Sequence, residues 1–175
     1  MAVLAISANL RRQAIRIAEA ATEAADPELS IQRLLRLENG FLIAGDYRYD
    51  LGAFSSITVV GAGKASARMA VAVENILGLR IQSGLVVVKD GHREPTRRVE
   101  IVECAHPIPD GRGAAAARRI LAILEKAGDG ELIIAVISGG GSALLSAPAA
   151  GLSLIDLAGT TELLLRAGAD IRQSK

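Results

Sequence analysis

One stretch of the sequence decides the fold: residues 57–78 read ITVVGAGKASARMAVAVENILG. An apolar, β-branched run comes first, a turn with two glycines follows, and an alanine-rich segment completes the stretch. β-Branched residues favour strands, whereas alanine has the highest helix propensity. The stretch therefore predicts a buried strand, a glycine turn and a helix in direct succession.

The same succession continues towards the C-terminus. Strands are predicted at residues 84–91, 98–105 and 131–138, and helices at 109–130, with Asp110 near its start, and at 152–170, with Ser153 as its cap. Strands that alternate with helices of this length pair in parallel. The predicted fold class is therefore α/β: one Rossmann-like layered domain with a mostly parallel sheet and helices on both faces.

The N-terminal part of the chain predicts helices and a loop. Residues 10–26 place apolar side chains at helical spacing, which predicts an amphipathic helix ended by an Asp-Pro pair. Ser30 is predicted to cap a short helix over residues 31–38, which an Asn-Gly pair closes. Residues 45–56 are predicted to be a loop.

The composition excludes several classes of protein. The chain has 175 residues, of which 50% are hydrophobic and 22% charged, so it can bury a core and is not disordered. The net charge is +1, and the locally basic segment 91–100 contains two glutamates and no aromatic residue. We therefore expect a solvated loop there and no nucleic-acid partner.

Cysteine usage and hydropathy indicate a cytoplasmic protein without a membrane segment. Cys104 is the only cysteine, which excludes an intrachain disulfide, and its place after an apolar run predicts a buried, unreactive thiol. Residues 132–155 contain no ionisable side chain, but glycines, serines and a proline interrupt them. We expect a strand and a loop rather than a membrane span, and the N-terminus lacks the basic region of a signal peptide.

A glycine-rich loop follows the last predicted strand. Ligands of open parallel sheets bind beyond the carboxyl ends of the strands. Glycines at such an end let backbone N–H groups approach an anion, and serine hydroxyls add donors. The loop predicts a cradle for a phosphate or a carboxylate, with a tight turn that binds nothing as the alternative. Its residues are Ser138, Gly139, Gly140, Gly141 and Ser142.

The glycine turn of the first stretch is a second candidate site. Gly61 and Gly63 follow a strand and precede a helix, whose N-terminus attracts anions. The turn fails as a Walker A motif, since Ala65 follows Lys64, and it is a weak dinucleotide fingerprint, since Ser66 replaces the third glycine. Lys64 is predicted to bind an anion, with a merely solvated lysine as the alternative.

A third strand-end loop, CAHPIPDGRG at residues 104–113, contains His106 and Asp110. His106 is a candidate proton carrier or ligand contact, with a structural histidine as the alternative, and Asp110 is predicted to cap a helix. The carboxyl ends of parallel strands meet at one edge, so the three loops could converge there. No general base and no carboxylate pair for Mg²⁺ is evident from the residues alone.

Three motifs in this order resemble a known family. GAGKASARMA, HPIPDGRGAAAARRIL and ISGGGSALLSAPAAGLSLIDL are similar to the N-terminal domain of the class II glycerate kinases, which also carry a C-terminal MOFRL domain and are also named hydroxypyruvate reductases. The resemblance covers nearly the whole chain. It implies Mg²⁺-dependent transfer of the γ-phosphoryl group of ATP to D-glycerate, which gives 2-phosphoglycerate.

The resemblance also implies roles for individual residues. Lys64 matches the active-site lysine of the family, and residues 138–142 match its glycine-rich ligand loop. His106 and Asp110 match its His-Pro-x-Pro-Asp motif. Because members of the family are about twice as long or more, we expect residues 1–175 to be a truncated N-terminal domain, incomplete in its sheet and inactive alone. The expected partner is the missing C-terminal domain or a second copy.

Two alternatives belong to other classes. One is an NAD(P)-dependent hydroxypyruvate reductase that uses the turn at residues 61–66 for the dinucleotide. Its weakness is the missing third glycine. The other is a non-enzymatic α/β module that binds a ligand or associates with itself through an exposed sheet edge.

Overall fold

The chain forms two β-sheets that differ in strand direction. The computed structural model describes residues 2–170, with side chains from residue 8 onward, so the predictions for the chain end at residues 171–175 lie outside the described residues. The helices and strands in chain order are α1 (Ala2–Ala24), α2 (Pro27–Leu34), β1 (Leu35–Glu38), β2 (Phe41–Ala44), β3 (Tyr47–Asp50), β4 (Ser56–Ala62), α3 (Ser66–Leu77), β5 (Ile81–Lys89), β6 (Val99–Cys104), α4 (Gly111–Lys126), β7 (Glu131–Ile137), α5 (Gly141–Leu144) and α6 (Leu154–Arg166).

The larger sheet is fully parallel. Its strand order is β6-β5-β4-β7, and all three strand pairs run in the same direction. The long apolar runs of β4 and β5 occupy the two central positions, as expected for strands covered on both faces. The predicted α/β class with a parallel sheet is therefore confirmed.

Helices cover both faces of this sheet. Val59 of β4 packs in a cluster with α3, which includes Ala70 and Val73. Its neighbour Val60 points to the opposite face and packs in a cluster with Ile120 of α4 and Leu144 of α5. Successive residues of a strand point to opposite faces, so one strand supplies both cores.

The helix predicted over residues 31–38 ends at Leu34, and the loop predicted over 45–56 contains a strand, so both predictions were wrong in part. Residues 35–50 form an antiparallel sheet in the order β1-β2-β3. Asn39 (φ 50°) and Gly40 (φ 83°) make the tight turn between β1 and β2. An Asn-Gly pair between apolar runs is a strong hairpin signal, and here it outweighs its use as a helix stop.

The predicted cap of the second helix was also wrong. The carboxylate of Asp26 accepts hydrogen bonds from the backbone N–H groups of Glu28 and Leu29, at 2.9 and 3.0 Å. Pro27 occupies the first helical position, where its missing N–H costs nothing. The Asp-Pro pair therefore starts α2, four residues before the predicted start.

The predicted caps Asp110 and Ser153 and the predicted burial of Cys104 are confirmed. Asp110 and Ser153 are the N-caps of α4 and α6, and each side chain accepts backbone N–H groups of its helix. Cys104 is fully buried, and this burial raises the pKa of its thiol to about 11. Among residues 2–170, no helix combines the length and the apolar character that a membrane span requires.

Candidate functional site

Strands β4 and β7 bring two glycine-rich turns into contact. A Cβ atom at Gly61 would collide with the carbonyl oxygen of Val136, and one at Gly63 would collide with the hydroxyl of Ser138. Gly63 also has φ +140°, a backbone conformation that residues other than glycine rarely adopt. These two glycines are therefore required by the close approach of the β7 turn, whatever the site binds.

Hydrogen bonds lock the two turns together. The N–H of Lys64 donates to the carbonyl of Gly139 at 3.0 Å, and the N–H of Ser138 donates to the carbonyl of Ala62 at 3.1 Å. The Ser138 hydroxyl accepts from the N–H of Ala65 at 3.0 Å and lies 3.0 Å from the buried hydroxyl of Ser66. The hydroxyl of Ser138 thus fixes the turn that carries Lys64, a role that the sequence did not predict.

Lys64 and His106 meet over Gly140. A Cβ atom at Gly140, where φ is +92°, would lie 2.9 Å from Nε2 of His106 and 3.4 Å from Cε of Lys64. Lys64 is exposed and His106 is half-buried, so a ligand can reach both. Three loops that are far apart in the sequence therefore place an ammonium group and an imidazole beside one glycine turn.

The electrostatics around His106 favour an anion. Burial lowers the pKa of His106, and the positive charges of Lys64, Lys89 and His92 lower it further. Both effects favour the neutral imidazole, whereas a bound anion would offset the surrounding positive charge and favour its protonation.

His92 is a neighbour of the site that sequence reasoning missed. Its Nδ1 lies 2.9 Å from the carbonyl oxygen of Lys64. A carbonyl only accepts, so Nδ1–H of His92 is the donor. The available signal was its position three residues after Lys89, because β5 ends at the same sheet edge as β4.

Asp110 holds the loop that carries His106. Its carboxylate accepts from the backbone N–H groups of Ala105, Arg112 and Gly113 at 3.2, 3.0 and 3.0 Å. The guanidinium of Arg112 bridges Asp110 to Asp90, with distances of 2.7 Å to each carboxylate. These contacts tie the loops after β5 and β6 together and occupy Asp110 as a cap.

All predicted site residues lie at the carboxyl edge of the parallel sheet. Residues 138–142 and His106 also line a cleft of about 830 Å³, whose other wall is α6. Within residues 2–170, no group of three or more His, Cys, Asp or Glu side chains could hold a metal ion. The edge is thus equipped with cations, N–H groups and hydroxyls, and it suits an anion.

A protein-family model matches residues 13–174, and its description is a domain of unknown function, DUF4147. The chain belongs to the DUF4147 family. This match covers more than half of the chain, from within α1 to the region beyond α6.

Relatives of this DUF4147 chain include kinases of glycerate. It is 34% identical over 168 residues to a glycerate 2-kinase of Pyrococcus horikoshii, a match that covers 96% of the chain and 37% of that protein. It is 45% identical over 115 residues to an Agrobacterium vitis protein named provisionally as a hydroxypyruvate reductase, which covers 66% of the chain and 30% of that protein. The resemblance to the glycerate kinases is thereby confirmed.

Solved structures with a similar fold also include a glycerate kinase. The crystal structure of a glycerate kinase from Thermotoga maritima superposes with a TM-score of 0.74 at 31% identity, and it covers 95% of the chain and 37% of that structure. The DUF4147 chain therefore spans little more than a third of the length of the kinases that it matches.

Proposed function

We propose that this chain is the N-terminal part of an ATP-dependent glycerate 2-kinase, which phosphorylates D-glycerate to 2-phosphoglycerate. The observation that carries the proposal is the meeting of Lys64 and His106 over Gly140 in a relative of glycerate kinases. Phosphoryl transfer needs positioned charge more than covalent help from the protein, and this edge supplies positioned cations and N–H groups.

Each residue of the site has a distinct role in binding. Lys64 pairs with a phosphate or with the carboxylate of glycerate, and the N–H groups of the glycine turn donate to their oxygens. The open surroundings of Gly139, where a Cβ atom would touch nothing, leave room for such a ligand. Ser138 holds the turn in place, and Ser142 and His106 complete the polar lining.

The reaction balances without an oxidant. The bond between the β–γ bridging oxygen and the γ-phosphorus of ATP breaks, a bond forms from that phosphorus to the 2-hydroxyl oxygen of D-glycerate, and the hydroxyl proton leaves. We assign no residue to this proton. Mg²⁺ is the metal expected with ATP, but the described residues offer no cluster that fits it.

Calorimetric titration tests the binding part of this proposal. ATP and D-glycerate are titrated into the wild-type chain, Lys64→Ala and the matched control Lys126→Ala, whose lysine lies in the last turn of α4. We expect Lys64→Ala to weaken binding about 10²-fold, as for loss of one charged contact, and Lys126→Ala to leave it unchanged. Equal binding by Lys64→Ala and wild type would contradict the role of Lys64.

A coupled assay of ADP formation tests the catalytic part. We expect no turnover by the 175-residue chain alone and glycerate-dependent turnover by a kinase that contains this chain as its N-terminal part. Turnover by the chain alone, with contaminating kinases excluded, would overturn the first expectation. Absence of glycerate dependence in the longer protein would overturn the second.

A reductase is the second candidate, because the relative with the higher identity is named as one. Ser66, which stands where a dinucleotide fingerprint has its third glycine, is fully buried against the hydroxyl of Ser138. This packing disfavours a dinucleotide in the turn. Quenching of NADH fluorescence on titration with the chain would favour the reductase, and an unchanged signal would favour the kinase.

A further inference from the structure

The cleft beside the glycine turn has two ends of different chemistry. The strand-end loops contribute the polar part of its lining, which consists of His106 and residues 138–142, and this part is called the polar end. Helix α6 contributes an aliphatic part with Leu157, Leu164 and Leu165, called the α6 wall. An anion held at the polar end would therefore have an aliphatic surface within the same cleft.

The α6 wall offers no spare side-chain hydrogen-bond donor. Thr161 is its one polar lining residue among those described, and its hydroxyl donates to the carbonyl of Leu157 at 2.8 Å. The cleft of about 830 Å³ is within the range of sites for ligands much larger than a three-carbon acid. Glycerate is small and polar throughout, so it has no apolar group that could pack against the leucines of α6.

We propose that the α6 wall of this cleft binds the nucleoside of the phosphate donor while its phosphates occupy the polar end. The inference rests on the proposed kinase function and extends it to a specific surface. A flat base packs well against leucine side chains. Because the one hydroxyl of the wall donates within its own helix and the other side chains of the wall are aliphatic, the wall reads the edge of the base little, and adenine and guanine nucleotides bind about equally.

Matched substitutions on α6 test this inference. Leu164 lines the cleft, whereas its neighbour Leu163 is 68% exposed and does not line it. Wild type, Leu164→Gln and Leu163→Gln are titrated calorimetrically with ATP, GTP, inorganic tripolyphosphate and D-glycerate. Gln has a helix propensity close to that of Leu, and the substitution leaves the net charge of the chain unchanged.

Three results are expected. Wild type binds ATP and GTP with similar affinity, and both about tenfold more tightly than tripolyphosphate, the scale of a small apolar contact. Leu164→Gln lowers ATP affinity to that of tripolyphosphate and leaves tripolyphosphate binding unchanged. Leu163→Gln behaves like wild type.

The contrary results separate this inference from the proposed function. Wild type that binds ATP no more tightly than tripolyphosphate overturns the inference and leaves the anion site intact, a comparison that needs no variant to fold. Strong preference for ATP over GTP, or equal losses in both glutamine variants, also overturns it. A Leu164→Gln variant that loses affinity for D-glycerate and keeps its affinity for ATP also overturns the inference, because the α6 wall then binds glycerate. Wild type that binds neither ATP nor tripolyphosphate overturns the anion site itself.

Discussion

The β4–β7 edge and helix α6 face each other across one cleft, yet they are stabilised in opposite ways. The edge is held by contacts between residues distant in sequence, such as the bond from Ala65 to Ser138, which are 73 residues apart. Helix α6 is held by its own neighbours: Ser153 and Asp156 form a capping box, and no residue of the helix is fully buried. Substitutions at the edge should therefore affect folding and binding together, whereas those on α6 should affect mainly binding.

The largest effect is expected from a methyl group at Gly63. Gly63→Ala meets the Ser138 hydroxyl and must adopt φ +140°, so we expect a loss of about 3 kcal/mol or more in the free energy of unfolding. Chemical denaturation measures it. The control is Gly159→Ala in α6, where a Cβ atom has open space, and we expect a gain of about 0.5–1 kcal/mol. Equal effects at both glycines would contradict the comparison.

A smaller loss is expected from Ser138→Ala. The N–H of Ala65 and the buried hydroxyl of Ser66 lose their partner, which should cost about 1–3 kcal/mol. ATP affinity should fall as well, because the turn with Lys64 is no longer fixed. Denaturation and calorimetry on the same samples report both quantities. Unchanged ATP affinity at reduced stability would show that the hydrogen bonds of Ser138 stabilise the fold but are not needed for binding.

Removal of the α6 cap should cost less still. In Ser153→Ala the N–H of Asp156 loses its acceptor, at an expected cost of about 1 kcal/mol. Helical signal and ATP affinity should change little, since the cleft wall lies further along the helix. A loss of stability as large as that of Ser138→Ala, measured by urea denaturation, would mean that α6 is not locally stabilised.

The smallest effect is the pH dependence from His106. Burial and nearby positive charges lower its pKa in the folded chain, so the unfolded chain binds more protons and stability falls as the pH drops below about 6.5. A bound triphosphate should oppose this trend, because it favours the imidazolium. Denaturation midpoints at several pH values, with and without tripolyphosphate, measure it, and His106→Gln should remove both trends. An identical pH profile in that variant would exclude His106 as their source.

Sequence patterns predicted those parts of the fold that depend on local signals. The apolar runs of β4 and β5 predicted a parallel sheet, and Asp110 and Ser153 were recognised as caps from their positions before helical segments. The sheet at residues 35–50 was not predicted, because an Asn-Gly pair is also typical of helix ends. A pair that both ends helices and makes hairpins needs the flanking apolar alternation to decide between them.

The candidate site was predictable in position but not in its internal contacts. Glycine turns after parallel strands share an edge, so the neighbourhood of Lys64 and His106 could be expected. That Ser138 bonds to the turn of Lys64, and that His92 reaches the Lys64 carbonyl, depends on the order of the strands in the sheet. The order of the strands depends on how the whole chain packs, so a local sequence pattern does not predict it.

The bond from Ala65 to Ser138 also dictates when the site can form during synthesis. A nascent chain emerges N-terminus first, so the glycine turn of Lys64 leaves the ribosome 73 residues ahead of its partner. Until β7 is added beside β4, the Ala65 N–H has no acceptor from Ser138 and the turn has no lock. Binding competence at this edge therefore arises in one step, when β7 docks beside β4.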